Sequence, residues 1–88
     1  MICHTEPVIQ RTMPLESDPK HHLTHPYEVV RPIGRTNGSY RFTWHATLED
    51  AEVAVAQWRW RDAIDRKAVA EIDPLRLALI DALEKRAA

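Results

Sequence analysis

Cysteine is nearly absent from this 88-residue chain, and the one present, Cys3, can close no disulfide within it. Glycine is almost as scarce. Gly34 and Gly38 are the whole supply, too few for a glycine-rich phosphate loop. Neither sign of charge prevails. The formal net charge is −1, so no broad field steers the chain toward a polyanion or a polycation. No apolar run nears the ~20 residues of a membrane helix, and the first residues show no basic-then-apolar leader. These absences lead to the expectation of a soluble, cytoplasmic chain with no membrane partner. A chain this short forms one small domain. With no staple to brace the core, self-association is favoured.

Proline, by contrast, is concentrated. Four of the six prolines (Pro7, Pro14, Pro19, Pro26) fall in residues 1–26. That spacing excludes a useful helix and predicts an extended or mobile arm, with one short strand through Val8 and Ile9. The remainder, 27–88, reads as a single small domain of a hairpin and two helices. A β-hairpin is expected over 27–46 because Asn37-Gly38 suits a two-residue turn with positive φ at both positions. Such a turn sets Thr36 opposite Ser39, Ile33 opposite Phe42, Arg31 opposite Trp44 and Val29 opposite Ala46. Val29, Ile33, Tyr40, Phe42 and Trp44 then form the core face, and Glu28, Val30, Arg41, Thr43 and His45 the outer one. A long helix is predicted over about 48–71, capped by Thr47 with Asp50 in the capping-box position. Asp73-Pro74 ends it and starts a C-terminal helix over about 74–86, which closes on Lys85 and Arg86, where cations suit the helix dipole. The class is α+β. A lone hairpin is marginal, so a third strand is wanted, from the arm or from a second copy of the chain.

The stretch QWRWR places Trp58 and Trp60 on nearly opposite sides of the long helix. Leu48, Ala51, Val55 and Trp58 form one apolar stripe; Val53, Ala56, Trp60 and Ile64 form the other. A surface helix needs one such stripe, so this helix is expected between two layers, the hairpin and the last helix. The last helix has a surplus of its own. Leu75, Ala78, Leu79, Ala82 and Leu83 suffice to cover its neighbour, which leaves Leu77 and Ile80 over. Val53, Trp60, Ile64, Leu77 and Ile80 are therefore the predicted interface set, with Trp and Arg being types enriched at binding hot spots.

Chemical motifs are thin. Cys3, His4, His21 and His25 are the residue types zinc prefers, but no C-x-x-C pair accompanies them and they sit in the arm, so no metal is expected. No nucleophile, base and orienting group fall into a recognisable pattern; the carboxylates Glu49, Asp50, Asp62 and Asp65 read as capping and solvation. No catalytic residue and no cofactor is expected. Arg31, Arg35 and Arg41 on the hairpin could meet phosphates, and arginine beside aromatic residues can hold single strands. Acids along the long helix oppose that reading, and Arg31 opposite Trp44 would be an internal stack.

Two functions follow. The first is a small non-enzymatic protein-interaction module of inhibitor or adaptor type, homodimeric, with another protein as partner. In size and make-up the chain is similar to small phage-encoded accessory proteins that block a host complex, a likeness that no motif carries and that transfers no residue. The alternative is a nucleic-acid-binding regulator using the basic hairpin. The placement of Arg31, Arg35 and Arg41 relative to the acids, and the cover given to Trp60, separate the two.

Overall fold

The computed structural model describes residues 6–33 and 39–88. It is α+β, with three strands followed by two long helices. Strand β1 (Val8–Arg11) lies within the predicted arm and pairs antiparallel with β2 (Tyr27–Ile33), Val8 opposite Val30 and Arg11 opposite Tyr27. It supplies the third strand the hairpin needed. The chain then loops away through a single helical turn, α1 (His21–Thr24), and returns. Thr12, buried, closes that loop: its amide donates to the Pro26 carbonyl (3.0 Å) and its hydroxyl to the His25 carbonyl (2.6 Å). The strand order is β1-β2-β3, with β3 spanning Ser39–His45.

The β2–β3 register differs from the one expected of a two-residue turn. Ile33 lies opposite Ser39, Arg31 opposite Arg41, Val30 opposite Phe42 and Val29 opposite Thr43. The Asn37-Gly38 turn itself falls outside the described residues. The register shift is odd in number, and an odd shift exchanges the faces of one strand relative to the other. Val29 therefore shares its face with Ile9, Tyr27, Arg31, Arg41, Thr43 and His45, while Tyr40, Phe42 and Trp44 share the opposite face with Val8, Val30 and Glu28. Phe42, expected in the core, is 48% exposed. Arg31 does not stack on Trp44. Instead, the buried Glu28 carboxylate accepts from the Trp44 indole (2.9 Å) and from the Gln10 amide. His21 of α1 sets its ring edge-on to Trp44, 5.1 Å between centroids.

Helix α2 (Leu48–Asp65) starts where expected, the Thr47 hydroxyl accepting from the Asp50 amide at 3.1 Å. It ends earlier than the predicted 71. Lys67 takes a left-handed conformation (φ 58°), which breaks the i to i−4 ladder. Arg66 braces the corner, donating to Asp62 (2.7 Å) and Glu71 (3.2 Å). Helix α3 then runs Val69–Ala87 with Pro74 inside it, not at its first position. The proline sits early enough to cost one backbone bond without ending the helix.

The core lies between the sheet and α2. Val29, fully buried, packs with Ala51, Ala54 and Val55, and Ile9 and Tyr27 close its edge. Alanines at two of these positions let α2 approach the strands closely. The outcome is a slab, 43 × 38 × 15 Å, with little interior.

Candidate functional site

The helical layer sorts the predicted interface residues into two groups. On α2, Ala51 and Val55 face the sheet, and Trp58 anchors there, its indole donating to the Pro32 carbonyl at 3.3 Å. The opposite side of α2 turns to α3. Val53 is buried, and Trp60 is half-buried with its indole nitrogen enclosed and unpartnered among the described residues. Both lie on the side of α2 opposite its sheet-facing stripe, and α2 packs along α3. Ile64 (42%), Leu77 (61%) and Ile80 (43%) stay exposed. Val69 and Leu83 extend this open surface. At 100° per residue, Val69 and Ile80 lie on one side of α3 with Leu77 at its margin, and Leu83 sits between them and the stripe of Leu75 and Leu79, which are half-buried. No residue of α3 is buried.

A second apolar feature is a cleft of about 410 Å³ between β1, α2 and α3. Pro7, Ile9, Val55, Ala56, Leu75 and Ala78 make its walls, and Glu52 and Arg59 supply its polar groups. It has the size and lining of a site that takes a small apolar group. Arg59 also reaches toward Glu6, 3.9 Å away on an exposed edge.

On the helix-facing side of the sheet, a polar chain joins the elements. Arg31 Nη2 donates to Thr43 Oγ1 (2.9 Å), which engages His45 Nε2 (2.9 Å). His45 Nδ1 meets Asp50 Oδ2 at 2.6 Å, and Arg86 donates to the other oxygen of Asp50 at 3.1 Å. The directions agree in one arrangement. Asp50 accepts the Nδ1 proton, Nε2 accepts the Thr43 hydroxyl proton, and Arg31 fills an oxygen lone pair. The His45 hydrogen bond, assisted by Arg86, holds the Asp50 carboxyl below the usual carboxylate range. The order of groups is that of a nucleophile, base and orienting acid, and it also ties β3 to the start of α2 and the end of α3. Thr43 and His45 alternate on one strand face, a signal present in the sequence. In the sequence Asp50 carries only a capping signal, and Arg86 only that of a cation at a helix end.

The predicted nucleic-acid residues divide. Arg35 lies outside the described residues. Arg31 and Arg41 are directly opposed on the sheet. Burial, then the charges of Arg41 and Arg61, lower the Arg31 pKa. Of the four residues of zinc-preferring type, Cys3 and His4 lie outside the described residues, and His21 stacks on His25 with 4.9 Å between centroids. Among the described residues no three His, Cys, Asp or Glu side chains gather as metal ligands, and no helix is long and apolar enough to cross a membrane.

No protein family, no curated protein and no solved structure matches this chain.

Proposed function

We propose that the chain is a small non-enzymatic protein-interaction module of the inhibitor or adaptor type, and that it works through the outer side of its helical layer. One observation carries this reading: a 19-residue helix, α3, has no buried residue yet presents Val69, Leu77, Ile80 and Leu83 to the outside. Single exposed apolar side chains are ordinary, as Val69 is beyond the Asp73–Arg76 ion pair, whereas neighbouring ones such as Leu77, Ile80 and Leu83, spaced three residues apart, mark an interaction surface. Ile64, at the end of α2, adds to the same layer. A second copy of the chain is the first partner to test, since two-fold dimers are the commonest soluble assemblies.

Light scattering across a concentration series tests this. The wild type is expected to exceed the monomer mass at tens of micromolar, and Leu77→Glu and Ile80→Glu to return it to the monomer. A wild type that stays monomeric, or variants that associate unchanged, would overturn self-association through this surface.

A further inference from the structure

Two arginines oppose each other where the sheet meets the second half of α2, and the charge of a third acts on one of them. Arg31 and Arg41 are cross-strand partners on the face that α2 packs against. Like charges placed directly opposite destabilise a strand pair, so this pairing works against the fold. Trp58, on α2, is fixed to β2 by its bond to the Pro32 carbonyl. Arg61 lies three residues beyond Trp58 on α2, and its charge acts on Arg31 along with that of Arg41. Among the described residues none of the three forms an ion pair, while Arg59, Arg66, Arg76 and Arg86 each have a carboxylate partner. Arg31 is further constrained. Thr43 holds its Nη2, and its Nε is buried without an acceptor among the described residues.

We infer that Arg31, Arg41 and Arg61 form a binding site for the phosphate group of a phosphorylated ligand. A tetrahedral oxyanion offers acceptors to several guanidinium groups at once, and arginine is the side chain whose planar fork suits that geometry. An anion there would relieve the repulsion of the Arg31–Arg41 pair. Thr43 acts as a positioning residue, since its hydroxyl steers the Arg31 head. The inference is independent of the apolar surface on α3 and survives or fails without it.

Sodium pyrophosphate is the first probe, titrated calorimetrically at low ionic strength into the wild type, Arg41→Gln and Arg61→Gln. Both variants alter exposed side chains, so the fold is expected to hold, checked by circular dichroism. Saturable binding to the wild type is expected, weakened about tenfold in each variant, the scale of one charge-assisted hydrogen bond. Pyrophosphate should also raise the thermal midpoint of the wild type and leave that of the Arg41→Gln, Arg61→Gln double variant unmoved. No saturable binding, or binding equal in all three proteins, would overturn the site. A single-stranded oligonucleotide measured by fluorescence anisotropy then identifies the source of the phosphate. Retention lost in Arg41→Gln places it in a nucleic-acid strand; pyrophosphate binding without oligonucleotide binding places it in a small molecule.

Discussion

The two faces of α2 have had very different partners to pack against. Toward the sheet, Ala51, Ala54 and Val55 meet Val29 in a closed cluster edged by Ile9 and Tyr27. Toward α3, only Val53 and Ala63 of α2 are buried outside that cluster, and α3 itself buries nothing completely. Three paired strands form a continuous wall, and small side chains on α2 let it come close. A single helix is a narrower cover. It seals the line where the two helices touch and leaves its own far side, with Leu77 and Ile80, unassigned. In a slab 15 Å thick, the second helical row has no third layer behind it. The sheet-facing half is therefore a folding core, and the α3 half a surface.

That difference can be broken from the core side first. Val29→Ala should cost about 2–3 kcal/mol in urea unfolding, the range for deleting buried methyl groups, whereas Leu77→Ala should cost less than about 0.5 kcal/mol in dilute protein, as at an ordinary surface position. Equal costs would erase the distinction between the two faces. His45→Ala comes next, at about 1–2 kcal/mol, because it leaves Thr43 and Asp50 without their partner between sheet and helix.

The same chain gives a pH signature. Asp50 is held below the ordinary carboxylate value of 3.8. A carboxyl with a depressed folded pKa contributes stability that is complete above its unfolded value and is lost as pH falls through the folded one. Acid unfolding of the wild type should therefore steepen below that ordinary value, and Asp50→Asn should flatten the curve there. The effect should be small, since Asp50 is partly solvated. A further modest change concerns the corner between the helices. Lys67→Gly should stabilise by about 0.5–1 kcal/mol, by relieving a left-handed conformation that glycine adopts freely. A loss of stability instead would mean that the Lys67 side chain holds the corner.

The sequence carried some of this arrangement plainly and some not at all. Val8 and Ile9 announced a strand, Thr47 and Asp50 a helix start, and the two apolar stripes of α2 a helix between layers. Each depends on local chemistry or on helical period. The β2–β3 register does not. It depends on the whole connection between the strands, and Asn37-Gly38 suggested a tighter one than the pairing of Ile33 with Ser39 allows. One odd shift moved Phe42 and Trp44 outward and brought Arg41, Thr43 and His45 of β3 to the helix side beside Arg31. The end of α2 was hidden for another reason. Lys67 carries no turn signature, and Asp73-Pro74 offered a more conventional stop. The polar chain from Arg31 to Arg86 joins residues far apart in the chain, so only the corrected register and the packed helices bring its members together.

A dilution series followed by methyl NMR tests the contrast between the two faces most directly. From tens of micromolar to about 1 mM, a range that brackets weak self-association, the Leu77 and Ile80 methyl resonances should shift together along one binding curve while those of Val29 stay in place. Resonances of Leu77 and Ile80 that do not move, or that move no more than those of Val29, would contradict an interface on the outer side of α3.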